Sequence, residues 1–86
     1  ERIAVIVSSN YLEAIDFFEE IQLSHERMNS FSYWTVEESK GLEFNFVIVL
    51  TNKMSINEKY ISFTRALKTL WICDTKEQFQ SYLDKI

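Results

Sequence analysis

The chain has 86 residues, a net charge of −4 and 47% hydrophobic residues, with one glycine, no proline, one cysteine and one histidine. A Walker A loop needs two glycines and a Gly-x-Gly-x-x-Gly loop needs three, so a self-contained phosphate cradle is excluded. Disulfides within the chain and zinc sites built on several cysteines or histidines are excluded as well. The apolar content predicts one small folded domain, and no apolar run reaches the ~20 residues of a membrane span.

The charge is unevenly distributed along the chain. Residues 1–30 have a net charge of −4, residues 31–72 of +1 and residues 73–86 of −1. We therefore expect the middle segment to meet any anionic ligand, while the negative total argues against indiscriminate nucleic-acid binding. The chain begins at Glu1 without a signal-peptide pattern, and a lone thiol suits a reducing compartment. A cytoplasmic domain cut from a longer protein is expected.

The first third of the chain has a strand pattern followed by a helix pattern. Residues 3–7 read Ile-Ala-Val-Ile-Val, an unbroken apolar run typical of a strand buried on both faces in a parallel sheet. Asn10 and Glu13 have the spacing of a capping box, and apolar residues then recur at helical spacing. This predicts an amphipathic helix over about 10–22, acidic on its outer face, and a polar connection over 23–30.

The next segment has two strand patterns separated by a turn. Aromatic and β-branched residues over 31–36 predict the second strand, and the apolar run over 46–50 predicts the third. The only glycine of the chain lies in the segment 39–43, which predicts the turn between them.

The last third has two capping-box patterns, Ser55 with Glu58 and Thr75 with Gln78. After the first, apolar residues recur at steps of four and three, and they are Ile56, Tyr60, Phe63, Leu67 and Leu70. A helix with these side chains on its buried face is predicted, then a short strand over 70–73. A final helix follows the second capping box.

The predicted element order is β-α-β-β-α-β-α. Apolar strands that alternate with helices are typical of an α/β layered fold with a mainly parallel sheet. We therefore predict a three-layer domain with about four strands flanked by about three helices. In open sheets of this kind, ligands bind at the carboxyl ends of the strands.

Two segments carry polar residues beside these elements. The first, Thr-Val-Glu-Glu-Ser-Lys-Gly-Leu-Glu-Phe over 35–44, resembles motif V of UvrD/Rep-type superfamily 1A DNA helicases, Thr-Val-His-x-x-Lys-Gly-Leu-Glu-Phe. The second, Tyr-Ile-Ser-Phe-Thr-Arg-Ala over 60–66, resembles their motif VI, Tyr-Val-Ala-x-Thr-Arg-Ala. The segment 3–10 is similar to the strand that opens their second RecA-like domain. Both motifs occur in the family's order, and the resemblance covers about 31–72.

The resemblance implies that residues 1–86 are the C-terminal RecA-like domain of an ATP-dependent DNA helicase or translocase, a class that includes DNA repair enzymes. ATP with Mg²⁺ would be bound mainly by the first RecA-like domain, which is missing here. That domain and single-stranded DNA would be the partners. Alone, the chain would be inactive, because Walker A and Walker B elements are absent.

The resemblance also assigns roles at the nucleotide. Arg65 would be the arginine finger that reaches the γ-phosphate of ATP, and on the predicted helix it lies about 140° from Tyr60, away from the buried face. Gly41 would lie close to the nucleotide and Glu43 at its ribose. The alternatives are a surface arginine paired with Glu58, an ordinary turn glycine and a solvated loop acid.

Three further residues would lie along the DNA track, and these are Thr35, Lys40 and Thr64. The alternatives are packing roles for the two threonines and a plain surface position for Lys40. Trp34 has two interpretations, a core residue or a platform on which a base stacks.

The sequence departs from the family pattern in three places. Glu37 replaces the histidine of motif V, and the connection over 23–30 is too short to hold the family's accessory domain. The connection over 51–54, before the motif VI helix, is shortened as well. These departures, with the acidic first helix, support an alternative function. The chain would then be a degenerate, non-catalytic module that binds another protein.

Overall fold

The computed structural model describes most of the chain apart from its first connection. The described residues are 2–11, 13, 16, 19 and 31–85. Most of the helix predicted over about 10–22, and all of the connection predicted over 23–30, lie outside them.

The described elements confirm the predicted α/β class. In chain order they are β1 (Ile3–Val7), β2 (Phe31–Thr35), α1 (Val36–Ser39), β3 (Phe44–Leu50), α2 (Ile56–Phe63), β4 (Ala66–Cys73) and α3 (Lys76–Lys85). The four strands form one parallel sheet in the order β2-β1-β3-β4. β1 and β3 are therefore central, and β2 and β4 are the edges of the described sheet.

Alternate side chains of the sheet enter two apolar clusters, one on each face. On one face, Val5 of β1 belongs to the cluster that contains Phe79 of α3. On the other face, Ile6 belongs to the cluster that contains Val36 of α1, with Ile61 of α2 packed against it. Helices thus cover both faces, as a parallel sheet requires. This is the small three-layer architecture that the resemblance to a RecA-like domain implies.

The boundary between α2 and β4 differs from the prediction. The helix ends at Phe63 with Thr64 as its C-cap, and β4 begins at Ala66 rather than at residue 70. Leu67 and Leu70 therefore lie on a strand, although their spacing fits a helix. The reason is tertiary: β4 pairs with β3 at Ala66 and again from Thr69 to Cys73, and this backbone ladder overrides the local helical pattern.

The predicted buried face of α2 is confirmed at Phe63, which packs against the second apolar cluster, but it is wrong at Ile56 and Tyr60. Ile56 and Tyr60 are 87% and 70% exposed, whereas Ser62 is fully buried. The Ser62 hydroxyl donates to the carbonyl of Glu58 at 2.7 Å, so the small polar side chain is satisfied within the helix. Burying Ser62 brings Ile61, rather than Tyr60, toward the sheet.

The capping boxes set the helix starts, including one start that was not predicted. Ser55 and Glu58 form the expected box at α2. Thr35 and Glu38 form a second box, which begins α1 at Val36, where the prediction continued the strand. β3 then begins at Phe44 instead of residue 46.

The cost of deleting one methylene group distinguishes the core from the exposed face of α2. We expect Ile48→Val, in the fully buried strand β3, to lower the free energy of unfolding by about 0.5–1.5 kcal/mol. The matched control Ile56→Val should change it by less than about 0.5 kcal/mol, because that side chain is exposed. Urea denaturation monitored by circular dichroism measures both. Equal losses at the two positions would contradict the observed packing.

Candidate functional site

The two motif-like segments meet at the amino ends of β3 and β4. Gly41, Leu42 and Glu43 precede β3, and Arg65 precedes β4, which lies beside β3. The backbone N–H of Phe44 donates to the carbonyl of Arg65 at 2.8 Å, which joins the two segments. The expectation of a site at the carboxyl ends of the strands is therefore wrong for these residues. The pairing of β3 with β4 brings them together at the amino ends of the strands.

Arg65 lies in the turn after α2, not on the helix as predicted, because α2 ends before it. Its Nε donates to the carbonyl of Ile61 at 3.1 Å and its Nη1 to the carbonyl of Leu42 at 3.1 Å. Both acceptors are neutral, and the guanidinium makes no ion pair within the described chain. The alternative pairing with Glu58 is thus wrong. A cation beyond the carboxyl end of a helix is favourably placed toward its dipole, and this one has no anion opposite it.

Gly41 is required by the backbone conformation and not by crowding. Its φ is +81°, in the left-handed region that favours glycine. A Cβ at this position would have no heavy atom within 4 Å. The open space on this side leaves the loop accessible from solvent.

Glu43 is exposed beside this turn. Its carboxylate makes no ion pair or side-chain hydrogen bond with any part of the chain that the structure describes. It is therefore free to accept hydrogen bonds from a ligand that approaches Arg65.

Lys40 forms an ion pair with Glu37, the residue that stands where motif V has a histidine. Lys40 is the C-cap of α1, and its Nζ lies 2.9 Å from Oε2 of Glu37. The two side chains are 52% and 73% exposed, so water screens the pair and its contribution is small. The pair lowers the positive field that Lys40 would otherwise present to a phosphate.

The two threonines cap helices at opposite ends of the sheet. The Thr35 hydroxyl accepts from the backbone N–H of Glu38 at 3.2 Å, at the carboxyl end of β2. The Thr64 hydroxyl lies 3.0 Å from the carbonyl of Tyr60, to which it donates, and accepts from Nη2 of Arg65 at 3.3 Å. Thr64 therefore belongs to the Arg65 cluster, and Thr35 does not.

Trp34 is half-buried in the sheet. Its ring centroid lies 5.4 Å from that of Phe44, and its Nε1 donates to the Ser32 hydroxyl at 2.9 Å. These contacts favour the packing interpretation of Trp34 over base stacking.

Sequence reasoning missed a cluster of hydrogen bonds around the Glu58 carboxylate at the carboxyl end of β1. Glu58 accepts hydrogen bonds from the Ser8 hydroxyl at 3.0 Å, from the Ser9 N–H at 3.0 Å and from the Ser55 N–H at 3.3 Å. The pattern revealed only the cap at Ser55, because the contacts with Ser8 and Ser9 span about half the chain. Glu58 thus ties the start of α2 to the central strand.

These contacts shift the pKa of Glu58. Desolvation is the largest single effect and opposes ionisation, but the hydrogen bonds from Ser9, Ser8 and Ser55 and the charge of Lys40 together outweigh it. The pKa of Glu58 therefore lies below its ordinary value of 4.5.

The described residues contain neither a metal-ligand group nor a membrane-spanning helix. No group of three or more histidine, cysteine, aspartate or glutamate residues in this part of the chain is placed to hold a metal ion. Within the same residues, no helix has the length and apolar character needed to cross a membrane.

The chain matches no protein family, no curated protein and no solved structure with which it was compared. The resemblance to UvrD/Rep-type helicases therefore depends on the two motif-like segments and their placement.

Substitution of Gly41 tests the backbone argument. We expect Gly41→Ala to destabilise the fold by about 1–2 kcal/mol, because a Cβ disfavours the left-handed conformation even in open space. Gly41→Asn should cost less, since asparagine tolerates this region. Urea denaturation of both variants ranks them, and equal costs would contradict a purely conformational cause.

The Glu58 cluster makes stability depend on acid pH. A carboxylate whose pKa is lowered by folding stabilises the native state above its unfolded-state pKa, and this stabilisation is lost as the pH falls through the folded-state value. We expect Glu58→Gln to flatten the decline in unfolding free energy below about pH 4.5. The control Glu43→Gln, at an exposed acid without a partner in the described chain, should keep the wild-type decline. A Glu58→Gln profile that parallels wild type would refute this assignment.

Proposed function

We propose that the chain is the C-terminal RecA-like domain of a cytoplasmic, ATP-dependent DNA helicase or translocase. One contact carries the proposal: Nη1 of Arg65 lies 3.1 Å from the carbonyl of Leu42, so the motif V-like and motif VI-like segments form one cluster. Sequence resemblance alone does not require Leu42 and Arg65, which are 23 residues apart in the chain, to meet. Their meeting on a three-layer parallel α/β scaffold supports a shared site.

The proposed site is half of a nucleotide-binding cleft. Arg65 supplies a cation whose present acceptors are neutral carbonyl and hydroxyl oxygens, and an anionic phosphate would be a stronger acceptor. Glu43, exposed beside it, could accept hydrogen bonds from ribose hydroxyls. The turn at Gly41 leaves room for the ligand, since no heavy atom fills the space beside its Cα.

ATP with Mg²⁺ fits this half-site only in part. The donors of Arg65 suit a phosphate, but the described residues contain no metal-ligand cluster. We propose that the first RecA-like domain of the same protein supplies the phosphate cradle and the Mg²⁺ ligands. Bound ATP would provide the reactive γ-phosphate, and Arg65 would stabilise the charge that develops on it.

The proposal for the DNA track is narrower than the sequence prediction. Thr64 bonds to Arg65 and is better explained as a support for the guanidinium. Lys40 remains a candidate for contact with the backbone of single-stranded DNA, because its exposed pair with Glu37 exchanges readily with solvent and phosphate. Thr35 also remains a candidate, with its hydroxyl engaged in the cap of α1.

The test is a substitution of Arg65 in the longer protein that the proposal implies. Arg65→Ala should lower DNA-stimulated ATP hydrolysis by about 10³–10⁵-fold with little change in stability, because an arginine finger acts on the transition state. Lys68→Ala is the matched control, since Lys68 is an exposed cation three residues away, and its turnover should stay near wild type. Unchanged hydrolysis in Arg65→Ala would exclude the proposal.

A second candidate function is the degenerate, non-catalytic protein-binding module. The ion pair between Glu37 and Lys40 favours it, because it partly neutralises a cation that would otherwise face the DNA. The reading frame upstream of this domain discriminates between the two. A Gly-x-x-x-x-Gly-Lys-Ser/Thr segment there supports the helicase, and its absence supports the protein-binding module.

A further inference from the structure

The outward face of α2 carries large apolar side chains that the fold does not use. Ile56 is 87% exposed and Tyr60 is 70% exposed, one helical turn apart. Lys59 lies on the same side of the helix, three residues after Ile56. The opposite side is anchored by buried Ser62. We call Ile56, Lys59 and Tyr60 the α2 face.

Positive charge and apolar exposure coincide in this part of the chain. Residues 51–72 contain four basic residues and one acidic residue, although the whole chain has a net charge of −4. The one acid, Glu58, is turned toward Ser8 and Ser9. Of the five large hydrophobic residues exposed in the described chain, four lie in the same segment, and they are Ile56, Tyr60, Leu67 and Ile72.

Lys59 has no acidic partner within the described chain. The Lys59 ammonium is therefore available to pair with an acidic side chain of another molecule. It lies beside two exposed apolar side chains, whose burial against a partner is favourable. Tyrosine is among the residues that most often anchor protein interfaces, and apolar residues spaced as in the α2 face suit contact with a second helix.

We propose that the α2 face is a docking surface for an amphipathic helix of a partner protein, with an apolar stripe over Ile56 and Tyr60 and acidic side chains opposite Lys59. The partner is acidic because Lys59, the cation of the α2 face, has no acidic partner within the described chain. A helix is favoured over nucleic acid because the most exposed residue is an isoleucine, which neither stacks on a base nor contacts a phosphate. The proposal does not depend on the role of Arg65.

The test uses the isotopically labelled chain and two synthetic helical peptides of about 14 residues. Both have leucines at helical spacing, and their flanking residues are glutamates in one and lysines in the other. We expect the glutamate peptide to shift the amide NMR signals of α2, and the lysine peptide to bind about tenfold more weakly, because the charge of Lys59 repels it.

Variants locate the contact. Ile56→Ser and Tyr60→Ser should each weaken binding of the glutamate peptide by about tenfold or more without unfolding the domain, since both side chains are exposed. Leu67→Ser is the matched control at an exposed apolar residue outside α2, and it should bind as wild type does.

Four results would overturn the proposal. They are equal binding of the two peptides, shifts that lie away from α2, the same α2 shifts with an oligothymidylate or with vesicles of anionic phospholipid, and α2 shifts that depend on protein concentration without any peptide. The third result would indicate a nucleic-acid or membrane surface instead. The fourth would indicate self-association.

Discussion

The described structure depends on the central strand β1, which is buried from every direction. All five of its side chains are at most 7% exposed, and both of its edges pair with neighbouring parallel strands. Its odd-numbered residues enter one apolar cluster and its even-numbered residues the other. Because backbone groups buried this deeply need partners, β1 fixes the registers of β2 and β3 together. Those registers place the ends of β2 and β3 relative to each other.

The position of the Arg65 cluster follows from this constraint. β1 aligns β3, β3 pairs with β4, and the amino ends of β3 and β4 then lie side by side. The loop at Gly41 and the turn at Arg65 are brought together by sheet pairing, and the Arg65 guanidinium adds a hydrogen bond to the Leu42 carbonyl. At the other end of β1, Glu58 joins the start of α2 to Ser8 and Ser9. The two ends of one strand thus organise two different polar clusters.

The sequence predicts those parts of the fold whose patterns admit one physical interpretation. The apolar runs over 3–7 and 46–50 suit only strands covered on both faces, and both strands are present. The pattern from Ile56 to Leu70 admits two interpretations, because its spacing fits a helix although its second half pairs with β3. No local property of Leu70 reveals that it pairs with Val47 of β3. The α2 face was likewise hidden, since spacing shows that apolar residues share a side but not which side meets the sheet.

The candidate site was predictable in its residue types but not in its contacts. The resemblance pointed to Gly41, Glu43 and Arg65, and in the structure all three lie before the amino ends of β3 and β4. The resemblance could not show that Arg65 is held by backbone carbonyls, because every residue has a carbonyl and its identity does not reveal which one accepts. Capping boxes were visible as spacings, yet the extension of Glu58 to Ser8 and Ser9 required the folded chain.

The last residue of β4, Cys73, makes opening of the fold measurable through the reactivity of its thiol. Cys73 is the only thiol of the chain and is fully buried, and burial together with the neighbouring Asp74 raises its pKa to about 12. A thiol that is both shielded and protonated cannot react with an alkylating reagent at neutral pH. Alkylation of Cys73 therefore requires an opening that exposes it, by release of α3 or by unfolding of the sheet, and it reports such openings without any introduced probe.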